Sequence, residues 1–159
     1  INFINQDSLN MLEIGSYLGE SSKIFLESKK FKKIHCLDMW VGGYDSNDYA
    51  SQNMDGIEAS FLSFAEKHAD IIKVHKTSSS EIPFIFDDGV FDFIYIDADH
   101  SYDAVKKDIL NSLPKLKKGG FIGGHDYTYD LFDVKKAVDE IVGTPDCTFD
   151  DSSWIKKII

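Results

Sequence analysis

The chain is short of cysteine and of positive charge, and it has no long apolar run. Two cysteines, Cys36 and Cys147, are too few for a disulfide framework. Both fall in segments that read as strands. They are expected as buried thiols in a reducing compartment, which points to a cytoplasmic location. Seventeen basic residues face 27 acids, giving a formal net charge of −10. A nucleic-acid partner would need a basic stripe, and an anionic membrane surface would repel such a chain. No stretch approaches the roughly 18 apolar residues of a membrane span. Repeats, low-complexity tracts and linkers are also missing. The chain opens at Ile1 with neither a methionine nor a signal-peptide pattern. The expectation is therefore one domain over residues 1–159 that lacks some N-terminal elements.

What is present is enough for a core. Apolar residues make up 43% of the 159 positions and aromatics 13%. A domain of this length hides roughly 70% of its unfolded surface. The stretch from Phe91 to Tyr127 is the most informative. Phe91, Phe93, Ile94, Tyr95 and Ile96 form a continuous apolar run, as in a strand buried on both faces. It stops at Asp97-Ala98-Asp99-His100. Tyr102, Val105, Ile109 and Leu113 repeat at helical spacing, and Gly119-Gly120 reads as the stop of that helix. Phe121-Ile122 opens a short strand that stops at His125-Asp126. A right-handed crossover makes the two strands parallel and puts both polar tips on one edge of the sheet. Open α/β sheets bind ligands at that edge.

The remainder alternates in the same way. Met11–Ile14, Ile34–Leu37 and Ile71–Val74 read as strands, and Ser21–Lys29 as a helix. Ile57, Phe61, Phe64 and Ala65 mark another helix, and Thr77–Ser80 reads as a helix start. Trp40–Gly56, rich in glycine, aspartate and tyrosine, reads as a loop that covers a site. Leu131, Val134, Val138 and Ile141 mark a helix broken at Gly143-Thr144-Pro145. Cys147–Phe149 and Trp154–Ile159 read as a closing hairpin of edge strands. Lys115, Lys117 and Lys118 read as solvated charges at a helix C-terminus. Such alternation predicts a mainly parallel sheet covered on both faces.

The first strand leaves through Glu13-Ile14-Gly15-Ser16-Tyr17-Leu18-Gly19-Glu20-Ser21. Gly15 permits a tight turn, and Gly19 would let a ligand approach the helix N-terminus. Tyr17 stands where a dinucleotide site needs its middle glycine, and Glu20 stands where a P-loop needs lysine. An acid there disfavours a pyrophosphate and suits a cation. Alone, the segment is equally an ordinary strand-to-helix turn. Asp38 ends the second strand 23 positions beyond Gly15. An acid at about that spacing can accept both hydroxyls of an adenosine ribose. Met39-Trp40 follow and could pack against adenine, although Trp40 also reads as a core anchor.

These pieces together resemble the class I S-adenosylmethionine-dependent methyltransferases. More narrowly, they are similar to the small-molecule and sugar O-methyltransferase-like group, which carries Asp-x-x-His-x-Tyr after the fourth strand and His-Asp-Tyr after the fifth. Here those motifs are Asp97-Ala98-Asp99-His100-Ser101-Tyr102 and His125-Asp126-Tyr127. The resemblance spans Met11 to about Tyr127. It implies a Rossmann-like α/β fold: a mainly parallel seven-stranded sheet, helices on both faces, last strand antiparallel. It implies that Glu13, Gly15, Ser16, Tyr17, Gly19 and Ser21 line the methionine half of S-adenosylmethionine. It further implies Asp38 on the ribose, Met39, Thr77 and Ser78 near the adenine, and Asp97 at the methyl-bearing end.

The chain also resembles the catechol-type, divalent-metal O-methyltransferases. Asp97 matches their first acid, and His125-Asp126 stands in place of Asp-Asn. The implied metal set is Asp97, His125 and Asp126, and its imidazole suits Mn²⁺, Fe²⁺ or Zn²⁺ better than Mg²⁺. His100 stands in the place of the proton-removing lysine. His100, His125 and Asp126 are thus the candidate catalytic residues, with His100 favoured as base. His35, His68 and His75 receive no role. The expected activity is methyl transfer to a hydroxyl of a small molecule, with a sugar one candidate. The expected partner is that acceptor, with no nucleic acid, no membrane, and room for a homo-oligomer. Two other readings stay open: an iron-using, hydroxylase-like relative on the same fold, and a non-catalytic domain that binds adenosine-type ligands.

Overall fold

The structure is a computed structural model that describes residues 3–43, 54–129 and 133–159. Seven strands form one sheet: β1 (Leu9–Ile14), β2 (Phe31–Asp38), β3 (Ile72–Lys76), β4 (Phe91–Ile96), β5 (Leu116–Gly124), β6 (Cys147–Thr148) and β7 (Trp154–Lys157). Their order is β3-β2-β1-β4-β5-β7-β6. The first five run parallel, and β7 pairs antiparallel with both β5 and β6. The expected Rossmann-like, mainly parallel sheet is therefore observed. The closing hairpin also forms, but only β6 is an edge, since β7 lies inside the sheet. Cys36 is buried as expected, whereas Cys147, on that two-residue edge strand, is only half-buried.

The helices are α1 (Glu20–Glu27), α2 (Ile57–Glu66), the short α3 (Ile82–Ile85), α4 (Tyr102–Ser112) and α5 (Val134–Ile141). Apolar spacing decides which face each covers. Phe25 of α1 with Phe61 and Ala65 of α2 pack on Met11, Ile34 and Phe93. Ile82, Val105, Ile109, Ala137 and Val138, from the other three helices, pack on Leu12, Leu37, Ile94 and Ile122. Adjacent residues of each strand thus feed opposite cores, which is why the strands read as continuous apolar runs.

One expected boundary is corrected. Gly119-Gly120 does not end α4 but lies inside β5, which is nine residues long. The helix ends at Ser112 and gives way to a single tight turn over Leu113–Lys115 that contains Pro114. Proline lacks the N–H a continuing helix needs. The glycines form a bulge instead: pairing runs Phe91 with Leu116, then Phe93 with Phe121. A Cβ on Gly120 would lie 2.9 Å from Lys117 O and 3.0 Å from Asp92 O. The lysines change role accordingly. Lys115 is buried, with Nζ 2.7 Å from Asp88, and Lys117 Nζ lies 2.8 Å from Asp92.

Candidate active site

The sheet order reverses between β1 and β4, and the site opens at the carboxyl ends of these strands. Gly15 (φ +88°) turns the chain away from β1 so close to β4 that an added Cβ would lie 2.0 Å from Asp97 O. No other residue fits there. Gly19 has a different task. It caps α1 at φ +81°, and an added Cβ would meet the Phe61 ring at 3.0 Å. It faces α2 and lines neither cavity described below.

Glu13 is also displaced from its expected place. It is fully buried behind the turn, where its carboxylate accepts hydrogen bonds from Ser16 Oγ (2.8 Å), Ser21 Oγ (2.6 Å) and Ser22 Oγ. Burial raises its pKa, against the lowering effect of those hydroxyls. It braces the turn and does not form a cavity wall. Asp38 reaches back across the switch point: Oδ2 accepts from the backbone N–H groups of Ser16 and Tyr17, both at 2.9 Å, and Oδ1 from Trp40 N at 2.7 Å. A carboxylate has about four acceptor positions, so roughly one remains for a ligand. Trp40 is a core anchor. It is buried on Phe61, and its Nε1 donates to Tyr17 O at 3.0 Å.

Two cavities meet here and share Gly15, Asp38 and Ala98. The first, about 190 Å³, is walled by Ile14, Leu37, Met39, Val41 and Ala104, with Thr77 and Ser78 at one side. The second, about 390 Å³, is lined by Ser16, Tyr17, Ser21 and Tyr95, with the polar tips Asp97, His100, His125 and Asp126. Together they are in the roughly 300–1,000 Å³ range of small-ligand sites. The fold thus gathers every expected site residue except Glu13 and Gly19. Reading by motif missed Asp99, Lys107 and Asp108 in the first cavity, and Glu20, Ile24 and Asp151 in the second. A helical-face count along α4 could have found Ala104, Lys107 and Asp108. Nothing local marks Asp151, which comes from the distant hairpin. The Trp40–Gly56 loop, expected to cover a site, lies partly outside the described residues.

At the polar tips, His100 Nε2 lies 3.0 Å from Asp126 Oδ2 and 3.8 Å from Asp97 Oδ1. Burial works against its charge, but the hydrogen-bonded Asp126 carboxylate and the nearby Asp97 carboxylate win and push its pKa up to about 10. Asp126 is buried too, yet the two histidines hold its carboxyl well below the usual range. Burial raises the pKa of Asp97, opposed by the neighbouring His100. His125 approaches from the other side, with Nδ1 3.2 Å from Asp126 Oδ1, a contact that raises its pKa. Asp126 adopts φ +61°, a conformation that costs roughly 1–2 kcal/mol for most residues and is easier for Asp.

Among the described residues, the cluster whose donor atoms fall within 4.8 Å of one another is Asp97, His100 and Asp126. His100 thus takes the place expected for His125 in a metal set. A protonated His100 already supplies the positive charge that the two carboxylates require, and a bound cation would demand its neutral form.

Residues 12–127 match the methyltransferase-domain family model. That is most of the chain, and the protein belongs to this family. An uncharacterized protein of Acanthamoeba polyphaga mimivirus is 25% identical over 130 residues, which are 79% of this chain and 55% of that protein. The chain spans about half the length of the curated relative it matches. Among solved structures, an Aquifex aeolicus SAM-dependent methyltransferase superposes with a TM-score of 0.69 at 12% identity, covering 99% of this chain and 86% of that one. A Methanococcus maripaludis protein assigned to the same class gives 0.63 at 19% identity, covering 100% and 82%. At such identities these structures show the fold alone.

Proposed function

We propose that the protein transfers a methyl group from S-adenosylmethionine to a hydroxyl of a small molecule. The observation that carries this reading is the meeting of the two cavities at Gly15, Asp38 and Ala98, with the histidine–aspartate cluster lining only the second. The apolar walls of the first cavity suit a flat base, and Met39, Thr77 and Ser78 would lie around it. Asp38 would take the ribose, giving up part of its hold on the turn. Ser16, Tyr17 and Ser21 would face the amino-acid end. The acids of the second cavity, Glu20 and Asp97 among them, suit a ligand carrying ammonium and sulfonium charge. When bound, S-adenosylmethionine supplies a methyl group on a sulfonium that is already a good leaving group.

What remains for the protein is to orient the acceptor and remove its proton. We assign the proton to His125, not to the His100 favoured by sequence position. His100 is charged at neutral pH and has its Nε2 turned to two carboxylates. His125 gives Nδ1 to Asp126, which leaves Nε2 as the atom to face an acceptor hydroxyl. An aspartate that accepts Nδ1–H fixes the imidazole's tautomer and stabilises the charge it gains. His100 then acts as a fixed cation that keeps Asp126 ionised. Calorimetric titration with S-adenosylhomocysteine, with and without divalent metal, tests the reading. Micromolar binding that is indifferent to metal supports it. No binding in either condition overturns it, and a large gain on adding metal replaces the ion cluster with a metal centre.

A further inference from the structure

A third cavity of about 140 Å³ opens beside the second one, between α1 and the hairpin, walled by Ile4, Phe25, Phe93, Phe149 and Trp154. It shares Ser21, Ile24, Tyr95 and Asp151 with the second cavity, so the two adjoin. Ile24, at this junction, is 60% exposed, and Phe149, on the recess wall, is 39% exposed. Large apolar side chains at the lip of a polar reaction cavity are the kind of exposed surface that marks a ligand contact.

Charge narrows the ligand. The described lining of the second cavity includes Glu20, Asp38, Asp97, Asp126 and Asp151, but no lysine, and the chain has no arginine. His100 and His125 offset part of this charge, and both are turned to Asp126. Asp151 uses Oδ1 to accept from Ser153 N (3.0 Å) and Ser153 Oγ (2.6 Å). Its position is fixed relative to the reaction centre. Neighbouring Ser152 accepts from Tyr127 N through its carbonyl (3.1 Å) and from Thr128 N through Oγ (2.9 Å). The hairpin turn is therefore tied to the segment that follows His125-Asp126. Phe149, Asp151 and Trp154 all lie beyond residue 127, where the family match ends.

We propose that this apolar recess holds the ring or alkyl portion of the methyl acceptor. Asp151, at its mouth, selects an acceptor that carries an ammonium group over one that carries a carboxylate or phosphate. The inference rests on the methyl-transfer reading and names its substrate class: an apolar hydroxy compound with no anionic group, cationic in preference to neutral.

The test uses protein saturated with S-adenosylhomocysteine and three probes: tyramine, 3-(4-hydroxyphenyl)propionate and glucose. The first two carry the same phenol with opposite charge. Tyramine should bind about tenfold tighter than the propionate, since one contact is attractive and the other repulsive, and glucose should bind more weakly than tyramine. Asp151→Asn keeps an acceptor for Ser153 and should reduce the preference to about threefold or less, with an unchanged melting temperature. Phe149→Ala should weaken tyramine about fivefold and leave S-adenosylhomocysteine affinity unchanged. Equal or tighter binding of the propionate overturns the proposal, as does a preference untouched by Asp151→Asn. Tightest binding by glucose, or no binding of either phenol at millimolar concentration, also overturns it. Failure of S-adenosylhomocysteine to bind appears in the first titration and is a failure of the cofactor reading instead.

Discussion

Asp38 accepts three backbone N–H groups, two of them from the turn that borders both cavities. Its removal therefore acts twice. Asp38→Ala should weaken S-adenosylhomocysteine binding by more than about tenfold. It should also lower the melting temperature, because it leaves turn amides unpaired. Asp38→Asn, which keeps one acceptor oxygen, should recover much of the melting temperature and little of the affinity. Paired calorimetry and thermal melts check this, and unchanged affinity in both variants removes Asp38 from the ribose. The two histidines should separate in the same way. His125→Gln should cut turnover by roughly 10²–10⁴-fold, the span of general base catalysis, with ligand affinity retained. His100→Gln should lower the melting temperature, because Asp126 loses its buried ion partner. Wild-type turnover in His125→Gln would return the proton to another group. The motif residues were legible because acids and imidazoles at strand ends stand out in an apolar sequence. How the two histidines divide Asp126 was not legible, because it depends on the 3.0 Å and 3.2 Å contacts that share the carboxylate between them.

Elements carry their own constraints, and β2 and β3 offer a titration. His35 Nδ1 lies 3.0 Å from His75 Nε2, with the rings nearly parallel and edged by Phe86 and Phe91. Burial lowers the pKa of His35 to about 4, helped by the charges of His75, Lys33 and Lys73, and burial lowers His75 as well. Unfolded, these groups titrate near 6.5. Stability from their neutral forms is complete above that value and falls as pH drops toward 4, because the unfolded chain then binds more protons. Buried Asp108, raised to about 6, works in the opposite sense, so the comparison must be differential. The melting temperature of the wild-type chain minus that of His35→Leu should fall by several degrees between pH 7 and pH 4.5. A gap constant with pH would show that the pair does not titrate in this window. In β5, Gly120→Ala should cost roughly 1–3 kcal/mol in denaturant unfolding, because its Cβ has no room against the backbone of Lys117 and Asp92. The same glycines read as a helix stop in the sequence, since glycine signals a break without saying of what kind. Only the bulge opposite Asp92, a contact between strands, decides that the break lies inside β5.

At the scale of the whole molecule, the site is a seam between distant segments, so a ligand that bridges it should stabilise the entire fold. S-adenosylhomocysteine at about 100 times its dissociation constant should add roughly 2.7 kcal/mol. For a chain of this length that is about 5–10 °C in melting temperature. No shift at saturation would mean that the ligand does not favour the folded chain. The sequence by itself determined the alternation of strands and helices, the parallel sheet, and the edge on which acids and histidines gather. These are local: apolar period and strand ends follow from neighbours along the chain. Residues 12–127 of it match the family model. The tertiary structure alone decided that Glu13 lies behind the turn and that Gly19 serves α2. It also decided that His100 stands against Asp126 and near Asp97 while His125 meets Asp126 through Nδ1, and that Asp151 lines the second cavity from the far end of the chain. Each of these depends on which residues are brought within a few ångströms by the sheet order β3-β2-β1-β4-β5-β7-β6. That order is set by long-range pairing of strands, which no local pattern in the sequence encodes.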